Sequence, residues 1–263
     1  MKRFVSFLLL TLFAFAAFAQ PLTLESPDGS IKLVLSSGTG SVSWTLFVDD
    51  RQVLKADNIR LNARAYDGHF TARQVCRYYG DKYNGLRLRL NKTLLLDLRL
   101  FNNGFAYRWI GDTAGTVEIV SESLDLLPGP DDTLFFPREK SLISHYERSY
   151  IRTGFGNLPD SAFASLPVLL KANGVDVLIT DADLYDYPNM FLQKSNSVLK
   201  AIYPAYVLET KPDPRRADRN QIITREAGYI AKTQGRRTYP WRVFAIARED
   251  KDQIGRASCR ERV

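Results

Sequence analysis

The stretch Leu96-Asp97-Leu98-Arg99-Leu100-Phe101-Asn102-Asn103-Gly104-Phe105-Ala106-Tyr107-Arg108-Trp109 (LDLRLFNNGFAYRW) decides the fold. Leucine alternates with charged residues up to Leu100, and then Asn-Asn-Gly interrupts the run. Successive side chains of a strand point to opposite faces, so the alternation describes a strand with one apolar face and one polar face. The interruption is turn chemistry, and FAYRWI after it reads as the next strand.

The same grammar extends in both directions. Upstream, LTLES and SIKLVLSS flank Pro27-Asp28-Gly29, where proline presets the first corner and glycine accepts positive φ. SVSWTLFVDD and RQVLKA predict a hairpin around Asp49-Asp50-Arg51, and GLRLRL and TLLLDLRL pair around Asn91-Lys92. Downstream, PVLLKANGVDVLITDADL gives two strands around Asn173-Gly174, the favoured short hairpin turn. VLKAIYPAYVLET, REAGYIAKT and RTYPWRVFAIARE each read as further strand. No helix of substantial length is predicted; SHYERSYIRTG (residues 144–154) allows a helical turn or two. About a dozen or more half-exposed strands predict an all-β, antiparallel fold of two stacked sheets. With no linker and no internal repeat, residues 20–253 read as one large domain.

Both ends fall outside that expectation. Lys2 and Arg3 precede the apolar run FVSFLLLTLFAFAAFA, and Ala17-Phe18-Ala19 is a small-x-small site, so residues 1–19 read as a signal peptide. The run is short for a membrane span, which needs about 20 residues. Location is expected to be secreted across the inner membrane, in the periplasm. At the other end Ile254–Val263 (IGRASCRERV) shows neither strand nor helix pattern, and it matches one reading frame of a sequencing-library adapter. A natural basic tail is the alternative. On the adapter reading, residues 254–263 are non-native and the natural protein is longer.

The ends also account for most of the charge. The whole chain has 36 Lys+Arg and 29 Asp+Glu, a net +7. Setting aside Lys2, Arg3 and the tail's three arginines and one glutamate leaves +3. That removes the case for nucleic acid or an anionic membrane as a partner. Arg215-Arg216 and Arg236-Arg237 read as solvated loop charges. Cys259 lies in the tail, which leaves Cys76 without a disulfide partner; ARQVCRYYG places it as a small buried hydrophobe. Neither His69 nor His145 sits in a motif that would make Cys76 a nucleophile or support epimerase chemistry. Trp109 and Trp241 lie in strand runs and are expected in the core, although tryptophan also stacks on sugars. Asp131-Asp132, in PGPDDT, reads as a loop, not as a glycosidase pair, whose carboxyls flank the bond about 5 to 10 Å apart.

Several pieces in order carry a family signal: SPDGSIKLVL, YNGLRLRL, LDLRLFNNGFAYRW, Glu122 in IVSESLDLL, VLITDADLYDYPNM and YPWRVFAIARE. Together they resemble the N-terminal domain of glycoside hydrolase family 97, over nearly all of the chain between its two ends. The resemblance implies a β-supersandwich of the galactose-mutarotase-like kind. It implies a (β/α)₈ barrel, which needs about 250 further residues, and then a small C-terminal β domain. It implies hydrolysis of α-glucosides or α-galactosides near a Ca²⁺ ion, with the catalytic carboxylates on the barrel and no catalytic residue in this chain.

Asp181, Asp183 and Asp186 gather where a strand ends, in TDADLYDYP. Period two puts Asp181 and Asp183 on one face. The resemblance assigns Asp181 to an acidic Ca²⁺ ligand at the head of an E-A/S-D-L motif, with Asp here in place of the longer Glu. The alternative is that these acids end the strand and solvate the loop. Asp183 and Tyr187 read as a turn acceptor and a packed ring, and Glu122 has no role legible in sequence. The leading expectation is an accessory domain that binds α-linked glycoside and completes the active site and Ca²⁺ site of a barrel. The alternative is a free-standing secreted β-sandwich that binds carbohydrate without catalysis.

Overall fold

The computed structural model describes residues 21–38, 40–66, 72–215 and 220–253. The signal-peptide and adapter readings, His69, Arg216 and Cys259 lie outside the described residues. The first half of the chain is a run of antiparallel strands. These are β1 (Leu22–Glu25), β2 (Ile31–Gly38), β3 (Ser41–Val48), β4 (Arg51–Ala63), β5 (Arg73–Gly80), β6 (Tyr83–Arg89), β7 (Leu94–Phe101) and β8 (Gly104–Leu127). Shorter strands follow: β9 (Thr133–Phe136), β10 (Ile151–Gly154), β11 (Phe163–Ala164), β12 (Val168–Ala172), β13 (Val175–Ala182), β14 (Phe191–Ser195) and β15 (Val198–Ile202). A separate hairpin, β16 (Val207–Pro212) with β17 (Gln221–Glu226), precedes β18 (Ala231–Thr238) and β19 (Trp241–Ala247).

The hairpin turns behave as their residues dictate. Asp49 and Asp50 both adopt positive φ, as do Asn173 and Gly174, so each pair supplies the primed turn whose twist matches its strands. Asp28 fixes the first turn by accepting the Ser30 amide at 3.0 Å and the Ser26 hydroxyl at 2.7 Å. Phe101 pairs with Gly104 across Asn102-Asn103. Gly104 has φ +148, and a Cβ there would lie 2.3 Å from the Phe244 carbonyl oxygen. Only glycine lets β8 and β19 approach this closely.

The 24-residue β8 organises the sandwich. Its first half lies between β7 and β19, with Phe101↔Gly104 on one side and Ala245↔Gly104 on the other. Its second half lies between β4 and β15, with Ala56↔Leu126 and Leu199↔Leu126. β18 runs along the middle, from Thr238↔Ile110 to Ala231↔Ile119. One layer therefore runs β5-β6-β7-β8-β19-β13-β12-β9-β10 and the other β1-β2-β3-β4-β8-β15-β14-β11. The two stacked sheets expected from sequence are present, joined into one 17-stranded ladder through β8.

The core lies between the layers. Leu94, Leu96, Leu98 and Leu100 of β7 are at most 1 % exposed, so the leucine face of the opening stretch is the buried one. Trp44 of β3 meets Phe105 of β8 and Phe244 of β19 edge-on at 4.9 and 5.1 Å. Such pairs add about 0.5–1.5 kcal/mol each beyond area burial.

Three expectations are corrected. Residues 144–150 form no helical turn and Ile151–Gly154 is a strand on β9; among the described residues helix is confined to the 3₁₀ turns Phe155–Asn157 and Asp250–Gln253. REAGYIAKT is two strand ends around an irregular Ala227–Ile230. RTYPWRVFAIARE breaks at Tyr239-Pro240, because proline has no amide to donate to a ladder.

Candidate functional site

A polar cluster sits between the layers at one end of β13 and β19. Arg242 points inward from β19 and is fully buried, and Glu122 points inward from the second half of β8. Arg242 Nε donates to Glu122 Oε1 at 2.9 Å and its Nη2 to Oε2 at 2.6 Å. This two-pronged pair ties one layer to the other. Trp109 Nε1 donates to Oε1 at 3.3 Å and the Tyr187 hydroxyl to Oε2 at 2.8 Å. The Tyr187 and Tyr203 rings lie against the guanidinium at 5.7 and 5.3 Å. Burial opposes the Arg242 charge, but the Glu122 carboxylate, its hydrogen bonds and the surrounding tyrosines together outweigh burial and the group stays charged. Burial pushes the Tyr187 and Tyr203 hydroxyls far above their ordinary values, so both remain protonated.

Asp181 joins the cluster from β13, where it pairs with Arg242 in register. Its Oδ2 lies 3.6 Å from Arg242 Nη1 and accepts the Met190 amide at 3.0 Å. Its side chain is 6 % exposed. Burial raises its pKa above the ordinary aspartate value, against the pull of Arg242 and the Met190 amide. Asp183 does not share its face. β13 ends at Ala182, and Asp183 takes φ +60, which turns its half-exposed carboxylate to the outer surface, 4.0 Å from Arg108. Asp186 is exposed, also with positive φ. Period two holds only while the strand lasts.

A second buried carboxylate shapes the same end. Glu139 accepts the Ser144 hydroxyl at 2.6 Å, Arg148 Nε at 2.9 Å and the Ser165 hydroxyl at 3.1 Å. Burial pushes its pKa up, but these three donors together outweigh burial and hold it below the ordinary value. Glu139 thus pins an irregular loop that exposes Ile143, Tyr146 and Tyr150. The Tyr146 ring packs 5.7 Å from that of Phe191, next to Met190. Burial, then the Asp181 and Glu139 charges, push its hydroxyl up to about 12. The loop and Asp181 therefore share one end of the sandwich. No sequence motif marked Glu139; only its buried donors reveal it.

Other sequence candidates divide. Trp109 is in the core as expected, but Trp241 is half-buried on the outer face of β19. Cys76 is half-buried on β5 and not in the core, because β5 lies at the rim of its layer opposite Arg87 of β6. Asp132 accepts the Gly129 amide at 2.8 Å in a turn, as a loop acid should. Arg215 pairs with Asp213 beyond β16, and Arg236 and Arg237 lie in β18, not in a turn.

A sequence profile described as "Glycosyl-hydrolase 97 N-terminal" matches residues 24–256. The chain belongs to the glycosyl-hydrolase 97 N-terminal family. The chain is 27 % identical to a retaining alpha-galactosidase of Bacteroides thetaiotaomicron, over 96 % of this chain and 42 % of that protein. A family 97 enzyme of Pseudoalteromonas sp. strain K8, solved with acarbose, shares the fold at a TM-score of 0.62 and 17 % identity, over 87 % of this chain and 36 % of that one. A beta-arabinopyranosidase shares it at 0.64 and 14 %, over 87 % and 40 %. The chain thus spans less than half the length of each.

The Ca²⁺ that the family 97 resemblance implies can be set against these residues. Among the described residues no three His, Cys, Asp or Glu side chains gather as a metal cage. Ca²⁺ takes about six to eight oxygens, so the described residues do not by themselves form a calcium site. Glu122, Asp181 and Arg242 carry two negative charges against one positive, and Glu122 already occupies the guanidinium fork. Asp181 is the surplus carboxylate.

Proposed function

We propose that this chain is the accessory N-terminal domain of a secreted, periplasmic α-glycoside hydrolase. The observation that carries the reading is the family match along residues 24–256 on a two-layer β-supersandwich, in a chain that spans 42 % of an alpha-galactosidase. In this reading the catalytic carboxylates lie on a following barrel. The sandwich end built by Asp181, the Glu139-pinned loop and the exposed Tyr146 and Tyr150 completes one wall of the active site and binds α-linked glycoside. Rigid support is what such a wall requires. The Glu122–Arg242 pair and the Glu139 donors supply it.

Asp181 gives one oxygen to Ca²⁺ in this proposal. Two physical points support it: Asp181 is the second carboxylate in a buried cluster with one cation, whose two-pronged contact goes to Glu122, and its strand end borders the loop that would meet the substrate. The remaining oxygens come from the barrel and from water. The experiment is to read the locus beyond the codon for Gln253. A frame encoding a (β/α)₈ barrel is the expected outcome. A stop codon there would instead favour a free-standing carbohydrate-binding sandwich.

A further inference from the structure

The outer face of the β5–β13 layer carries an arginine and aromatic cluster that the proposed function does not use. Across it run Tyr78 of β5, Gly85 and Arg87 of β6, Asp97 and Arg99 of β7, Ala106 and Arg108 of β8 and Trp241 of β19. Arg99 is the centre. Its guanidinium carbon lies 4.9 Å from the Tyr83 ring and 4.8 Å from the Trp241 ring. Its one protein hydrogen bond among the described residues is from Nε to the Tyr78 hydroxyl, at 3.4 Å. Its neighbours have carboxylates, and among the described residues it has none: Arg87 Nε reaches Asp97 at 3.2 Å, and Arg108 reaches Asp97 at 3.7 Å and Asp183 at 4.0 Å. The buried Arg108 Nε has no hydrogen-bond partner.

The layout is that of an oxyanion receptor. Aromatic contact orders the Arg99 guanidinium through its faces and leaves its terminal N–H groups free. A guanidinium so held recognises a carboxylate or sulfate in its own plane through two parallel hydrogen bonds. Arg87, Arg99 and Arg108 outnumber Asp97 and Asp183, so the face is net positive. Gly85 and Ala106 flank Arg99 in register, and the Tyr78 ring fills the space above Gly85 beside it. Trp241 and Tyr83 add apolar edges of the kind that sugar rings contact.

We propose that this face binds the oxyanion group of an acidic saccharide, a uronate or sulfated sugar, with Arg99 as its two-pronged donor. The oxyanion part rests on the geometry alone; the saccharide part rests on the proposed function.

The test is titration of the chain with glucuronate, acetate, sulfate and neutral glucose at constant ionic strength, followed by tryptophan fluorescence. Trp44 and Trp109 are buried in the core, so Trp241 is the reporter. Saturable binding of glucuronate, at least about tenfold tighter than acetate and absent for glucose, is expected. Arg99→Met should abolish it and Arg99→Lys should weaken it about tenfold, since lysine keeps the charge but loses the fork. Should Arg99→Met fail to fold, Arg99→Lys with an unchanged thermal midpoint carries the comparison. Equal binding of glucuronate, acetate and sulfate would overturn the saccharide part, leaving the proposed function untouched. No saturable response to any oxyanion, or full binding by a folded Arg99→Lys protein, would overturn the site.

Discussion

Arg242 of β19 grips Glu122 of β8 through two hydrogen bonds, across 120 residues of chain and between the two layers of the sandwich. Neither charge is exposed to water. Each is tolerable only because the other is there, and the pair's partners Trp109 and Tyr187 fix where it sits.

Breaking this pair from one side should be severe. Glu122→Leu or Arg242→Met takes from the remaining buried charge its two-pronged partner, at a cost of about 3–5 kcal/mol. The double variant Glu122→Leu/Arg242→Met should recover part of that loss, because the only charge then left without Arg242 is the Asp181 carboxylate. Urea unfolding of the four proteins gives the coupling energy. Additive losses would show that the two side chains act independently.

Asp181 should make stability depend on pH in the direction of its raised pKa. The folded chain holds the Asp181 proton more tightly than the unfolded chain does. Between the ordinary aspartate value and the raised folded value, this group's contribution therefore falls as pH rises. Asp181→Asn removes the penalty and should melt a few degrees higher at neutral pH without Ca²⁺, the gap closing below about pH 4. Melting curves across pH test this; an Asn variant that melts lower at every pH would assign the Met190 hydrogen bond the larger effect.

Glu139 should behave in the opposite sense. Its folded pKa is depressed, so the stability it contributes is present above the ordinary glutamate value and is lost as pH falls through the lower folded value. Glu139→Gln should cost about 1–3 kcal/mol, the loss of a charged acceptor with several buried donors. It should also free the loop. Faster tryptic cleavage at Lys140 and Arg148 is the readout, and unchanged cleavage would count against Glu139 as the loop's anchor.

The calcium proposal predicts a specific order of variants in the complete enzyme. Asp181→Ala should weaken Ca²⁺ binding and lower activity, with excess Ca²⁺ restoring part of it. Asp181→Glu should be tolerated, because it returns the longer acid of the family pattern. Calorimetric titration of the three proteins decides, and an Ala variant that binds as tightly as wild type would leave Asp181 a structural acid.

The chain by itself should turn over no aryl α-galactoside or α-glucoside. Glycoside hydrolysis needs two carboxyls placed across the scissile bond. Among the described residues the buried acids are held by other groups: Asp97 by Arg87, Glu122 by Arg242, Glu139 by Ser144, Arg148 and Ser165, Asp176 by Lys171, Asp181 by the Met190 amide and Asp213 by Arg215. Measurable turnover by the purified chain, abolished by an acid-to-amide change, would sink this expectation.

Sequence alone determined the strand class and most turns. Alternation in LDLRLF, the Asp49-Asp50 and Asn173-Gly174 pairs and the Asn102-Asn103-Gly104 interruption are local signals, and local backbone sterics execute them. Tertiary structure decided what the charged residues do. Asp181 and Asp183 parted because one positive φ ended the strand's period. Trp241 left the core because β19 presents Arg242 inward in its stead. Glu122 gained a role only when β8 passed from one layer to the other and carried it opposite Arg242. Such pairings join residues far apart in the chain, and nothing in the local pattern around either one records the distance between them.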